Sequence, residues 1–318
     1  MSESAGPGPA MVVAGPTASG KSHLAVALAA RFGGEVINAD SMQVYRDLHV
    51  LTARPGAAET ARVPHHLYGV AASDEAGSAG RWLEMARAVA AEVWGRGGLP
   101  VFCGGTGLYL KVLMEGIAPV PDVPAGAVAA AGDIYDDIGG AAFADRLRAV
   151  DPEAAARLNA GDRQRLVRAY SVATETGRTL AEWQAGQSTE PGLAARFLTI
   201  RLMPDRAELY ARIEARLDAM VGAGALDEVA ALAAQGLAAE LPVMKSLGVP
   251  EFLGHLAGDV SLDDAVAKAK QATRNFAKRQ STWFRHQLRP DLAIDGFGDA
   301  AAALDAAAAA TEAFLAAG

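Results

Sequence analysis

Apolar residues along this chain fall into short unbroken runs, separated by longer stretches in which they recur every three or four positions. Met11-Val12-Val13-Ala14 is the first run and stops at Gly15. Glu35-Val36-Ile37-Asn38-Ala39 is the second and leads into Asp40-Ser41, and Leu99-Pro100-Val101-Phe102-Cys103 is the third and stops at Gly104-Gly105. Runs of this length, bounded by turn residues, predict buried strands. Between them, residues 22–32 set Leu24, Ala25 and Leu28 on one side, and residues 78–94 set Trp82, Met85, Val89 and Val93 on one face. That is the spacing of amphipathic helices. Strand alternating with helix predicts an α/β fold with a parallel sheet covered on both faces.

The texture changes after Gly116. A Pro-rich crossing at 118–124 precedes helical patterns from Ala127 to about Gln187, with no strand among them. Phe197-Leu198-Thr199-Ile200-Arg201-Leu202 is then rich in strand formers. A helical segment bracketed by sheet predicts an inserted subdomain. The expected fold is therefore a parallel sheet flanked by helices, with an inserted all-helical subdomain, and the G-x-x-x-x-G-K-[ST] loop at Gly15 to Ser22 makes that sheet one of P-loop type. Residues 11–118 and 196–290 form the core, 119–195 the insertion, and 291–318 an alanine-rich C-terminal tail.

Composition removes several function classes. The single cysteine, Cys103, excludes a disulfide framework and a multi-cysteine zinc site. No signal-peptide pattern opens the chain, and no run of about 18 apolar residues is free of polar breaks. A cytoplasmic protein without a membrane span is expected. The net charge of −8 argues against a uniformly basic surface, but binding follows local patches.

The first strand and helix are joined by Gly15-Pro16-Thr17-Ala18-Ser19-Gly20-Lys21-Ser22, which fits G-x-x-x-x-G-K-[ST] in the required strand–loop–helix context. Glycines let backbone N–H groups converge on phosphate oxygens, and the helix adds its positive end. Lys21 supplies a charge, and the Ser22 hydroxyl suits Mg²⁺. By motif alone the usual ligand is ATP or GTP, since the loop recognises only adjacent phosphates. Asp40 lies at the C-terminal end of the second strand, where ligands of parallel sheets bind. Three roles suit it: general base, Mg²⁺ ligand, or helix N-cap. Gly104-Gly105-Thr106-Gly107-Leu108-Tyr109 repeats this geometry at the third strand, as a ligand-contacting loop or a simple tight turn. His65 and His66 lack metal-ligating companions at useful spacing and read as structural.

These motifs occur in order with Asp40-Ser41-Met42-Gln43-Val44-Tyr45-Arg46, Thr52-Ala53-Arg54-Pro55, Pro64-His65-His66-Leu67, Asp162-Arg163-Gln164-Arg165-Leu166-Val167-Arg168-Ala169, and the stretch from Thr273-Arg274-Asn275 through Lys278-Arg279-Gln280 to Trp283-Phe284-Arg285. The series resembles the tRNA dimethylallyltransferases, over about residues 11–290. The resemblance implies transfer of a dimethylallyl group from dimethylallyl diphosphate to N6 of adenosine 37 of tRNA, beside the anticodon. It implies Asp40 as general base, Thr106 near the reacting adenosine, and Lys21 with the loop amides stabilising the leaving diphosphate. Gly15 to Ser22 then hold diphosphate, with Mg²⁺ at Ser22. The partners implied are the tRNA anticodon stem-loop and dimethylallyl diphosphate, and a monomer is expected. It also implies tRNA contact by Asp40, Ser41, Met42 and Gln43, and by Gln164, Arg165, Leu166, Val167 and Arg168.

The RNA side has its own signal in the residues. Positions 265–290 carry no Asp or Glu but include Lys268, Lys270, Arg274, Lys278, Arg279, Arg285 and Arg289. Arg274, Lys278, Arg279 and Arg285 are the phosphate-contact candidates. A solvated basic face on an amphipathic helix is the competing reading, and Phe276 and Trp283 are read as its core face. Arg206, Arg212 and Arg216 fall on another predicted helix. Arg212 is the candidate to reach the diphosphate, with an ion pair to Glu208 or Glu214 as the competing use.

The chain departs from the family pattern at Gly248-Val249-Pro250-Glu251, where an aromatic and a basic residue are usual, and at Ala125–Ala131, which lacks the usual arginine. Three rivals remain on sequence grounds. They are a small-molecule P-loop kinase, an adenylate isopentenyltransferase acting on free nucleotide, and a non-catalytic RNA-binding protein with a degenerate loop.

Overall fold

A computed structural model of the chain describes residues 8–185 and 192–317. Six strands form one parallel sheet in the order β3-β2-β4-β1-β5-β6. They are β1 (Gly8–Ala14), β2 (Gly34–Asn38), β3 (His65–His66), β4 (Leu99–Gly104), β5 (Ala195–Leu202) and β6 (Leu292–Ile294). The four long strands match the apolar runs. The two short edge strands were not expected: β3 spans two residues and β6 three, too few for any alternation to show.

Side chains alternate across the sheet. Met11, Val13, Val36, Val101 and Cys103 pack with Leu24, Ala25 and Leu28 of α1 (Lys21–Phe32) and with Ala307 and Ala308 of α13 (Ala301–Ala316). Val12, Ile37 and Phe102 are equally buried between these positions. On that second side α3 (Ala79–Gly95) packs against β2, β4 and α4 (Gly107–Glu115). In α3 the buried stripe is Trp82, Leu83, Ala86, Ala90 and Val93; Met85 and Val89, expected on that face, lie half-buried at its margin. The Trp82 indole stacks on Tyr109 at 4.4 Å and donates to the Asn38 carbonyl at 2.9 Å. It thus ties the helix layer to the end of β2, where Asp40 begins.

The chain divides into two compact units, 1–115 with 193–318, and 116–192. In the second unit the described residues form α5 (Ala125–Arg148), α6 (Pro152–Arg157), α7 (Arg163–Thr176) and α8 (Leu180–Ala185) around Phe143, Leu147 and Leu166. The expected helix end near Gln187 falls outside the described residues. Leu193 N donates to Leu113 O at 2.7 Å, so the core strand resumes beside the helix from which the excursion departs.

Residues 291–318 are not a separate tail. They hold β6 and α13 and belong to the core unit. Alanine every third or fourth position gives α13 a flat face. Ala303, Ala307, Ala308 and Thr311 are buried by it. A cluster of small residues reads as compositional bias in the sequence, yet it permits close helix–sheet packing.

The remaining core helices complete the site. They are α2 (Ala57–Thr60), α9 (Arg206–Gly222), α10 (Ala225–Ala233), α11 (Val249–Leu256) and α12 (Leu262–Gln287). Helix α12 packs against α9, α11 and α4.

Candidate active site

The C-terminal ends of β1, β2 and β4 meet at one place, as parallel topology requires. The loop after β1 curls through Ala18 (φ 64°) and Gly20 (φ 81°), both left-handed. For alanine this conformation is strained. A Cβ on Gly15 would lie 2.8 Å from Ser19 Oγ, so the loop closes on itself only with glycine there. The Gly20 cap of α1 makes no side-chain cap bond, and the first turn holds no acidic residue. The N-terminal amides of α1 therefore have no side-chain acceptor, the arrangement that receives an anion. Ser19 Oγ is buried without a hydrogen-bond partner among the described residues.

Lys21 and Arg216 both face this region. Burial lowers the Lys21 pKa, partly offset by the negative charge of Asp40 and reinforced by Arg216. Burial likewise lowers the Arg216 pKa, and Asp40 opposes it. Two cations desolvated together are costly unless an anion joins them. Arg216 donates to Thr17 Oγ1 within the P-loop.

Asp40 is not a helix cap. It opens a turn in which Oδ1 accepts from Met42 N at 2.9 Å, and Asn38 Oδ1 accepts from Asp40 N at 2.8 Å. Both bonds fix the carboxylate, and Oδ2 is left without a hydrogen-bond partner among the described residues. Thr106 Oγ1 accepts from Ser41 N at 2.9 Å and donates to Ser41 Oγ at 3.2 Å, joining the β4 loop to the Asp40 turn. Gly104 permits this approach, because a Cβ there would sit 2.0 Å from Ala39 O.

A cavity of about 270 Å³ opens beside these groups. Its polar lining includes Thr17, Asp40, Ser41 and Arg216; its apolar lining includes Leu51, Ile213, Leu217, Met220, Leu247 and Phe276. Such a division suits a ligand with a charged end and an apolar end.

Two residues organise the site without having been singled out from sequence. Gln280, 6% exposed, accepts from Thr17 N at 2.8 Å and donates to Gly105 O at 2.9 Å, bridging the P-loop and the β4 loop. Glu228 accepts from three successive amides, those of His49, Val50 and Leu51, and so fixes the turn that carries Leu51. Gln280 stood inside a quoted motif, but a glutamine in a basic helix gives no pattern signal. Glu228 acts from 177 residues away or more, which spacing along the chain does not reveal.

Several candidate residues are engaged elsewhere. Arg212 is not at the P-loop face occupied by Arg216. Its Nη1 lies 2.9 Å from both carboxylate oxygens of Asp299, and its guanidinium is 3.7 Å above the Phe297 ring. One helical turn separates the two arginines, and periodicity alone does not choose between them. Arg274 pairs with Glu214, and Lys270 with Asp218 at 2.7 Å. The acid-free stretch thus finds acids on α9. Lys278, Arg279 and Arg285 are exposed and make no ion pair among the described residues; Arg279 also lines the cavity. Met42 Sδ accepts from Ser246 Oγ at 3.0 Å, and Gln43 Nε2 donates to the carbonyls of Thr52 and Ala53.

In the second unit, Leu166 and Val167 are buried in its core, so their side chains are not presented at the surface. Gln164 is exposed and Arg168 half-buried, while Arg165 pairs with its own cap, Asp162, at 2.8 Å. His65 pairs in β3 and His66 bonds Glu35 at 2.6 Å; no group of three metal-ligating side chains occurs among the described residues.

The IPP transferase family model matches residues 43–287, and the isopentenyl transferase model matches 9–67. A tRNA dimethylallyltransferase of Paramagnetospirillum magneticum is 52% identical over 284 residues, which cover 89% of this chain and 90% of that one. The chain belongs to the tRNA dimethylallyltransferase family. The enzyme of that name from Rhodospirillum centenum is also 52% identical, over 88% of this chain and 89% of its own length. Among solved structures, the full-length tRNA isopentenylpyrophosphate transferase of Bacillus halodurans aligns with TM-score 0.67 at 30% identity. That alignment covers 97% of this chain and 98% of that one. A eukaryotic dimethylallyltransferase captured acting on tRNA aligns with TM-score 0.74 at 28% identity, over 91% of this chain and 74% of its own.

Proposed function

We propose that this enzyme transfers the dimethylallyl group of dimethylallyl diphosphate to the exocyclic N6 of adenosine 37 in tRNA, releasing diphosphate. The observation that carries this reading is a cavity in which Thr17 of the P-loop, a fixed carboxylate and an apolar wall meet. A kinase needs the first two, but an allyl group explains the third.

In the reaction an N6–C bond forms as the allylic C–O bond breaks, and N6 gives up a proton. The adenine amine is a poor nucleophile because its lone pair is delocalised. Asp40 Oδ2 is the acceptor for that proton, held in place through Oδ1 and the backbone. The departing diphosphate gains charge, which Lys21, Arg216 and the α1 amides stabilise. Leu217, Met220 and Phe276 keep water from the developing allyl cation. The target base must leave the anticodon stack to reach the cavity. Exposed Lys278, Arg279 and Arg285 supply phosphate contacts for that RNA.

Mg²⁺ fits the donor set sparsely. Ser22 offers a hydroxyl and Asp40 a carboxylate oxygen, and Ser19 Oγ, buried without a hydrogen-bond partner among the described residues, leaves further polar capacity in the loop. Ser22 would hold the ion, with most other ligands coming from the diphosphate and water. When bound, it would supply additional positive charge to the leaving group. We further take the enzyme to work as a monomer in the cytoplasm. No helix among the described residues is long and apolar enough to cross a membrane.

The test is incubation with labelled dimethylallyl diphosphate and, separately, unmodified tRNA, AMP and ATP. Label is expected in tRNA alone. Label in AMP or ATP but not in tRNA would refute the assignment. Asp40→Asn should lower turnover by at least about 10²-fold with tRNA affinity kept.

A further inference from the structure

We infer that Phe297, Gly298 and Asp299, together with Arg212, form a strap that positions the P-loop for diphosphate from outside the cavity. Gly298 N donates to Ser19 O at 2.9 Å. A Cβ on Gly20 would lie 2.9 Å from Gly298 N and 3.1 Å from Asp299 N, and a Cβ on Gly298 would lie 2.6 Å from Gly20 O. Two glycines therefore meet backbone to backbone, and the left-handed Gly20 that starts α1 is held by a segment some 278 residues on. Phe297, 8% exposed, forms a cluster with Leu209 and Ile213 of α9 and Ala277 of α12, and Ala18, the strained alanine of the loop, packs against that cluster.

Arg212 locks the strap to α9. It grips both oxygens of Asp299 and covers the Phe297 ring. One turn along the same helix, Arg216 reaches Thr17 Oγ1. Helix α9 thus touches the P-loop twice, directly through Arg216 and through the strap by Arg212. Arg212 is a positioning residue here: it fixes the Ser19–Gly20 peptide and so the direction of the amides that follow. The matched family region ends at residue 287, before the strap begins.

The inference rests on the diphosphate reading of the P-loop, and the experiment separates the two. Inorganic diphosphate is titrated calorimetrically into the full-length enzyme and into Asp299→Asn, Asp299→Glu, Arg212→Gln and Gly298→Ala, and donor KM, kcat and tRNA affinity are measured. Asp299→Asn and Arg212→Gln should each weaken diphosphate binding and raise donor KM about two- to fivefold, the range of an exposed ion pair. Their double variant should lose no more than either alone, and Asp299→Glu should recover part of the loss. Gly298→Ala, which forces a Cβ onto Gly20 O, should weaken diphosphate more than about tenfold. Values of kcat and tRNA affinity should stay within about twofold of wild type for the Asp299 and Arg212 variants. Failure of the wild-type enzyme to bind diphosphate would overturn the P-loop reading. Wild-type binding with unchanged diphosphate affinity in Asp299→Asn and Arg212→Gln would overturn the strap alone.

Discussion

Replacing Gln280 tests whether the site is assembled by one side chain. The amide sits between two backbone groups, Thr17 N–H and Gly105 C=O, at 2.8 and 2.9 Å. In Gln280→Leu both lose that partner, Gly105 C=O in a buried place and Thr17 N–H in a part-buried one beside the cavity. The buried orphan costs about 1–3 kcal/mol and the part-buried one less, so the loss is about 1–4 kcal/mol. For a domain of this size that corresponds to a melting temperature lower by about 2–8 °C. Gln280→Glu separates the two bonds. It keeps the acceptor for Thr17 N but turns a carboxylate toward the Gly105 carbonyl, and it adds a negative charge beside the diphosphate loop. Its melting point should fall as well, and, if Gly15 to Ser22 hold the diphosphate as proposed, its donor KM should rise further than that of the leucine variant. Calorimetric melting with and without diphosphate, together with donor KM at saturating tRNA, reads both effects. Wild-type melting and wild-type KM in both variants would refute the bridge.

Three further outcomes are expected. Arg216→Gln removes a charge-assisted donor worth about 1.5–3 kcal/mol, so donor kcat/KM should fall about 10- to 100-fold while filter-binding affinity for tRNA holds. Gly104→Ala sets a Cβ 2.0 Å from Ala39 O and should cost about 3 kcal/mol or more in urea titration. Glu35 is held below its usual pKa of 4.5 by its bond to Arg96, against the effect of burial and with help from His66. That stabilisation is present above the unfolded value and is lost as pH falls through the lower folded value. Glu35→Gln should therefore be less stable at neutral pH by about 1 kcal/mol, and the difference should close on acidification.

The four long strands and the helices α1 and α3 were legible because each writes its period into a contiguous stretch. The strand–loop–helix junction at Gly15 to Ser22 was legible for the same reason, since its residues are contiguous. What escaped depends on partners far apart in the chain. The basic run of α12 looked uncompensated until Glu214 and Asp218 of α9 met Arg274 and Lys270. That Arg216 bonds Thr17 while Arg212 turns to Asp299, 87 residues beyond it, was equally hidden. Leu166 and Val167 belonged to a motif, yet their side chains serve the helical unit's own core. The residues after 290 looked like filler because alanine carries no chemistry, although it is the residue that allows α13 to lie close.

The bond from Leu193 N to Leu113 O brings the two ends of the helical excursion together. The core therefore closes around a doorway of fixed width, whatever is threaded through it. For a closed excursion, each doubling of length adds only about 0.6 kcal/mol of closure entropy. The parallel-sheet core is thus little affected by changes of length in the excursion. The excursion between residues 116 and 192 can lengthen or shorten along a lineage at small cost to the fold of the core.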